Sequence, residues 1–301
     1  MMTPTEALVD YLEARGLALD TRYLREALHI LAQALMECDV RQALDAALYE
    51  RNGSRRAYRN GYRQSLWRTD VGDIPLNIPR LRKGSYFPHF LNADAEAILL
   101  RLVQDAYVMG VQRTDVETAL ADLAGPRLQP YDMADIVERL ADVVYSAQDT
   151  PILNVYPALF FDVLDVEYQG MWRQLLVVLG LQRSGETELL AHDLVSATDD
   201  RAWARLLRRL RQRGLSAVDV VVSDDYAGMR TAVQAELVEA VWQHHRNFLL
   251  RGSGGDALVN AVSQLAVQAE TDSRWLPRMQ WPMAELDFGF IPENLPFLVV
   301  A

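Results

Sequence analysis

Tyr156–Gln243 reads YPALFFDVLDVEYQGMWRQLLVVLGLQRSGETELLAHDLVSATDDRAWARLLRRLRQRGLSAVDVVVSDDYAGMRTAVQAELVEAVWQ, and the order of elements in it decides the fold. Three strand-like runs open the stretch: Ala158–Tyr168, Met171–Leu181 and Thr187–Leu194. Gln169-Gly170 parts the first two and Arg183-Ser184-Gly185-Glu186 the next two, so both joints are predicted to be hairpin turns. An amphipathic helix over Asp199–Arg213 follows and is stopped by Gly214. Then come a buried strand over Ala217–Ser223, a second helix from about Asp225 to Leu237, and a short strand over Glu239–Trp242.

Three antiparallel strands followed by helix, strand, helix and strand is the order of a ribonuclease H-like core, an α/β fold built on a mixed sheet. In that order Asp162 lies within the first strand and Asp224 at the carboxyl end of the fourth, and those two strands are expected side by side. A carboxylate inside Leu159-Phe160-Phe161-Asp162-Val163-Leu164 is costly to bury without a cation or a donor. Two carboxylates converging at a sheet edge suit divalent metal ions, whose hard oxygen preference matches Mg²⁺ or Mn²⁺. Each aspartate alone has a plainer use: a backbone donor can satisfy Asp162, and Asp224 can cap the helix after it. The pair in one topology favours the metal.

Composition sets the outer bounds. The 301 residues suffice for about two domains and a sizeable core. Half are hydrophobic, yet no apolar run is long enough to span a bilayer. Met1–Val9 lacks the basic start and apolar block of a signal peptide. The single cysteine, Cys38, allows neither an internal disulfide nor a cysteine zinc cluster, so a cytoplasmic protein is expected. A net charge of −11 argues against a protein that coats nucleic acid along its whole surface.

Residues 1–50 form a predicted helical region, with Leu24, Leu28, Leu31 and Leu35 at helical spacing. Residues 51–90 differ in kind. They carry Arg51, Arg55, Arg56, Arg59, Arg63, Arg68, Arg80, Arg82 and Lys83 against Asp70 and Asp73, with Tyr58, Tyr62 and Trp67 interleaved. Guanidinium groups neutralise phosphates and aromatic faces stack on bases, so the segment reads as a basic connector that contacts DNA. Residues 91–150 are predicted to be helical and helix-turn-helix-like, broken near Gly125-Pro126. Asp115, Glu117, Asp122, Asp132, Asp135, Glu138 and Asp142 load this region with negative charge, which suits a structural role better than a major-groove reader.

Several motifs now coincide. RNGYR (59–63) and TDVGDIPLNIPRLRKGSYFP (69–88) resemble the basic motif of the Mutator-type bacterial insertion-sequence transposases, which use an Asp-Asp-Glu triad on a ribonuclease H-like fold. Tyr107-Val108-Met109-Gly110-Val111 resembles that family's tyrosine-valine-x-glycine-valine stretch. YPALFFDV resembles its first catalytic strand. VVSDDYAGM resembles its serine-aspartate-alanine-histidine-glutamate-glycine motif, and VWQHHRNFLLR resembles the segment after its fifth strand. The likeness runs from about Arg51 to Arg251. It implies a first acid at Asp162, a second at Asp224 with Asp225 outside the triad, and Mg²⁺ or Mn²⁺ held by Asp162 and Asp224. It also implies terminal inverted repeats of transposon DNA as partner, a homo-oligomer, and strand cleavage and transfer as the reaction.

The chain departs from the family pattern toward its end. Residues 151–251 make up the expected catalytic core and 252–301 a divergent tail. The family's asparagine-proline-x-glutamate motif is missing. Of Glu270, Glu285 and Glu293, only Glu270 ends a helical pattern (Gly254–Glu270), so Glu270 is taken as the third acid without motif support. The ending fits a truncated or frame-shifted element whose active site is incomplete. His244 and His245 read as surface residues. Two alternatives stand beside the transposase: a non-catalytic DNA-binding or self-associating remnant, and another ribonuclease H-like nuclease such as a junction resolvase.

Overall fold

The computed structural model describes residues 2–44, 59–81, 85–88, 91–124, 130–197 and 199–244. Its elements, in chain order, are α1 (Pro4–Glu13), α2 (Thr21–Leu44), β1 (Arg59–Thr69), β2 (Gly72–Leu81), α3 (Ala93–Met109), α4 (Arg113–Ala124) and α5 (Pro130–Gln148). After these come β3 (Ala158–Tyr168), β4 (Met171–Leu181), β5 (Thr187–Val195), α6 (Ala202–Gln212), β6 (Val220–Ser223), α7 (Met229–Glu236) and β7 (Val241–His244). They sort into two units. One joins residues 2–19 to 149–244, and the other is Asp20–Gln148.

In the first unit five strands form a mixed sheet in the order β5-β4-β3-β6-β7. β3, β4 and β5 are antiparallel, whereas β6 runs parallel to β3 and β7 parallel to β6. The β3–β4 joint is the predicted two-residue turn. Gln169 and Gly170 both have positive φ, 54° and 71°, as a type I′ hairpin demands. That turn fixes Tyr168 opposite Met171 and so sets the register of the whole ladder.

Alternation along β3 then divides its side chains between two faces. Leu159, Phe161 and Val163 enter a core with Trp203, Leu206 and Leu210 of α6 and Met229 and Val233 of α7. Burying a side chain of this size contributes roughly 1.5–3 kcal/mol. The intervening residues Phe160 and Asp162 are equally buried, and α1 packs against the same strand. α1 is firmly bounded. Thr3 and Glu6 form a reciprocal capping box at its start. At its end Gly16, at φ 68°, lets the Leu17 N–H reach back to the Leu12 carbonyl.

The predicted starts of four elements shift: α6 begins at Ala202 rather than Asp199 and β7 at Val241 rather than Glu239, while those of β6 and α7 move for local reasons. β6 begins at Val220 rather than Ala217, because Ala217 sits at φ 52° and the N–H groups of Asp219 and Val220 both donate to the Pro157 carbonyl. α7 begins at Met229 rather than near Asp225. Its N-cap is Gly228 at φ 74°, and no side chain caps it. Asp224 is therefore not a helix cap.

In the second unit the basic connector is not irregular. Arg59–Leu81 forms the β1–β2 hairpin, which lies on α2. Trp67, Ile74, Leu76 and Ile78 are buried. Gln33 of α2 both donates to the Asn77 carbonyl at 2.8 Å and accepts from the Asn77 N–H at 3.2 Å, while His29 Nδ1 lies 2.8 Å from the Pro75 carbonyl. Side chains of α2 thus cover part of β2's outer edge, which a neighbouring strand would otherwise occupy. Arg41 of α2 pairs with the buried Asp132 of α5. One of the acids that set this region apart as acidic is therefore an internal partner. Among the described residues, no helix is long and apolar enough to cross a membrane.

Gly228 gives a direct test of the β6–α7 turn. A Cβ at this position would lie 1.9 Å from the Asp200 carbonyl oxygen, and φ is 74°. Gly228→Ala is expected to destabilise the protein by at least about 2 kcal/mol in urea unfolding. Unchanged stability would contradict this turn.

Candidate functional site

β3 and β6 pair in parallel with Ala158 opposite Val220, Leu159 opposite Val221 and Phe160 opposite Val222, a constant offset of 62 (220 minus 158). Continued past the paired residues, the same offset would match Asp224, the first residue beyond β6, with Asp162 (224 minus 162). The turn holding Asp224 is tied down from several sides. The Tyr226 N–H donates to the Asp224 carbonyl at 3.0 Å, and Ser223 Oγ donates to the same carbonyl at 2.8 Å. Trp242 of β7 donates its indole N–H to Ser223 Oγ at 2.8 Å. Asp225 is drawn away, because Arg230 binds it through two nitrogens at 3.0 and 3.1 Å. Asp224 is half-buried and Asp225 exposed.

Asp162 is fully buried. Its Oδ1 accepts from the Val163 N–H at 2.8 Å and from the Tyr226 hydroxyl at 2.9 Å. Its Oδ2 has no hydrogen-bond donor among the described residues. The group facing Oδ2 is the Arg15 guanidinium, at 3.9 Å. Arg15 follows the end of α1 and folds back over the Tyr11 ring, its guanidinium carbon 3.5 Å from the ring centroid. It also donates to the Tyr11 carbonyl at 2.8 Å. The plainer reading of Asp162 is thus partly realised through Val163. One oxygen nevertheless faces only a cation beyond hydrogen-bond range, which leaves a buried carboxylate half served.

Tyr226 and Arg15 did not emerge from the sequence. Tyr226 links both aspartates. Its phenol is pushed far up by burial first, then by the Asp162 carboxylate, the hydrogen bond to it, and Asp224. The ring is the outer member of a stack in which Trp203 lies 5.0 Å from Phe161 and 6.0 Å from Tyr226. The hint available beforehand was its place in VVSDDYAGM, where the motif has histidine. Arg15 left no hint at all, since a helix end nearly 150 residues away carries no pattern pointing at β3.

Of the other predicted site residues only some fall among the described residues. Arg51, Arg55, Arg56, Arg82, Lys83 and Glu270 lie outside the described residues, as does Tyr58. Arg59 opens β1. Arg63 and Arg68, five apart on one strand, fall on opposite faces. Arg63 is half-buried and Arg68 exposed opposite Asp73, while Arg80 is exposed on β2. Arg63 and Arg68 therefore do not line one face of the hairpin. Trp67 is buried and is not available to stack on a base, which corrects the sequence reading. Tyr62 is exposed and donates to Glu37 at 2.9 Å. His244 belongs to β7, and among the described residues no cluster of three or more metal-ligating side chains forms.

Comparison with known proteins gives the family of the chain. The sequence profile described as "Transposase, Mutator family" matches residues 2–257. This chain belongs to the Mutator family of transposases. Among its relatives is the transposase for insertion sequence element IS1081 of Mycobacterium tuberculosis, 32% identical over 74% of this chain and 56% of that one. The transposase for ISRM5 of Rhizobium meliloti is 28% identical over 76% of this chain and 59% of its own length. The transposase for IS256 in transposon Tn4001 of Staphylococcus aureus is 27% identical over 72% and 57%. The matched part is a little over half the length of these relatives. Among solved structures, one chain of the simian T-cell lymphotropic virus intasome bound to PP2A regulatory subunit B56 gamma aligns at 12% identity. It covers 46% of this chain and 52% of that chain at a TM-score of 0.24, a likeness too slight to bear on the fold.

The Tyr226–Asp162 contact can be measured by a double-mutant cycle. A hydrogen bond to a buried charge contributes roughly 1.5–3 kcal/mol, so Tyr226→Phe is expected to lower stability by about 2 kcal/mol in urea unfolding. In an Asp162→Ala background most of that loss should vanish, giving a coupling of at least about 1 kcal/mol. Strict additivity would show that the two side chains do not interact.

Proposed function

We propose that this member of the Mutator family binds the terminal inverted repeats of a transposon and carries the two-aspartate part of the site that cuts and joins its ends. The observation that supports this reading is the parallel β3–β6 register, which pairs Phe160 with Val222, two residues before Asp162 on β3 and two before Asp224 just past β6. The element order of the sheet unit supports a ribonuclease H-like core, since three antiparallel strands precede the parallel pair.

The residues fit a hard divalent cation. Asp162 Oδ2 is buried, lacks a hydrogen-bond donor among the described residues and faces a positive charge, and Asp224 brings a second carboxylate. Mg²⁺ is commonly held by one or two carboxylates together with substrate phosphates. When bound, such ions supply activation of water or a 3′-hydroxyl for in-line attack on a phosphodiester and stabilise the leaving oxygen. In this assignment Asp162 and Asp224 are the metal ligands. Tyr226 holds Asp162 Oδ1 so that Oδ2 stays turned toward the site, and Trp203 holds Tyr226. Glu270 stays the proposed third acid, a homo-oligomer is part of the proposal, and the hairpin arginines supply phosphate contacts.

One observation favours a second reading, in which the chain binds DNA without cutting it. Asp162 is sealed and already has a guanidinium for a counter-ion. The two readings separate on terminal-repeat DNA incubated with Mg²⁺ or Mn²⁺, comparing the native protein with Asp162→Ala and Asp224→Ala. Cleavage at the repeat end by the native protein, falling at least about a hundredfold in each variant, is expected. Repeat-specific binding with no cutting by any form would support the binding-only reading. Equal cutting by all three would remove the proposed site, and cutting of branched DNA without regard to sequence would point to a resolvase.

Asp73, opposite Arg68, predicts a separate effect on affinity. Asp73→Asn removes a negative charge from the hairpin's exposed face and is expected to tighten repeat binding several-fold at low salt, with a smaller gain at high salt. A salt-independent change, or none, would place the DNA away from this face.

A further inference from the structure

We infer that Arg15 is an internal cation that takes the place of the metal at Asp162, so that α1 locks the candidate site until a divalent ion displaces the guanidinium. This rests on the metal reading above and adds a state in which the site is held shut.

The argument begins with accessibility. Asp162 has no exposed surface, yet a metal ligand that also serves a DNA phosphate must be reached by both. Arg15 stands opposite the oxygen that would have to open. Its guanidinium lies 3.9 Å from Oδ2, the oxygen that has no hydrogen-bond donor among the described residues. A guanidinium at this range compensates a buried carboxylate electrostatically without the short paired hydrogen bonds of an Arg–carboxylate fork. A divalent ion offers the same oxygen a higher charge at about half the distance. The two cations cannot share that oxygen in so confined a space, so binding of one must weaken the other.

Arg15 is also placed to move. It lies just past α1, in the turn that Gly16 closes, and its side chain keeps 13% exposure. Its contacts with the Tyr11 carbonyl and ring lie within its own helix and its end, and they are not part of the strand ladder. Residues 14–20 join α1 directly to α2, the helix that carries the β1–β2 hairpin.

The test uses the whole protein without DNA and measures Mn²⁺ binding by calorimetry. Arg15→Gln is expected to bind Mn²⁺ on the order of tenfold more tightly than the native protein, the range of ordinary competitive coupling, while Arg15→Lys, which keeps the charge, should stay close to native. Equal affinity of the glutamine variant and the native protein would overturn the lock. Should Arg15→Gln fail to fold, hydrogen exchange of the native protein decides instead. Saturating Mn²⁺ is expected to speed exchange over residues 4–17, and unchanged protection there would overturn the inference. If neither the native protein nor Arg15→Gln bound Mn²⁺ and Asp162→Ala behaved identically, the metal reading itself would fail and take this inference with it. Mn²⁺ binding that is lost in Asp162→Ala but indifferent to Arg15 would remove the lock alone.

Discussion

A negative charge buried on the central strand is the constraint around which the sheet unit is arranged. Removing a carboxylate from water carries a penalty of several kcal/mol after relaxation, and Asp162 is wholly removed. Three groups answer that charge, each from a different part of the chain. The Val163 N–H comes from the strand itself, the Tyr226 hydroxyl from the turn after β6, and the Arg15 guanidinium from the end of α1. The carboxylate therefore fastens strand, turn and helix at one point. A protein concerned only with stability would put an apolar side chain there, between Phe161 and Val163. A charge kept there accords with the proposed site.

The neighbouring features follow from that point. Tyr226 can reach Asp162 because Gly228 takes a left-handed conformation and brings the turn against the Asp200 carbonyl, leaving no room for a Cβ. The ring is held by Trp203, which in turn stacks on Phe161, the residue next to Asp162 but on the opposite face. Ser223 and Trp242 fix the other end of the turn. Core packing and candidate site thus share residues, and the aromatic stack that stabilises the fold also limits where the carboxylate can point.

How much of this was legible in the sequence depended on whether the signal was local. The bounds of β3 and β4 follow from their largely apolar runs and from Gln169-Gly170, which suits a two-residue hairpin turn. The parallel pairing of β6 with β3 followed from the order of elements, since the strand after the helix that succeeds the three antiparallel strands pairs with the first of them. The start of α7 was not legible. Asp224 and Asp225 look like ordinary caps, and nothing nearby announces that Gly228 will begin the helix. The β1–β2 hairpin was obscured by its own composition, because arginines and prolines resemble a connector when read singly. Only docking on α2 buries Trp67 and Ile74 and turns alternate residues outward. Contacts made across long separations, Arg15 with Asp162 above all, leave no periodicity to read.

The family match confirms what the motifs had suggested across most of the chain, while the matched part covers a little over half the length of the relatives compared. The central claim is narrower than transposition: two acids brought together by a strand register hold one kind of ion. Anomalous diffraction from crystals soaked in Mn²⁺ tests it most directly. The account predicts a peak about 2 Å from a carboxylate oxygen of both Asp162 and Asp224, with the Arg15 guanidinium withdrawn from Oδ2. A peak held by other residues, or Asp162 and Asp224 with their carboxylates turned away from each other in an undistorted sheet, would contradict it.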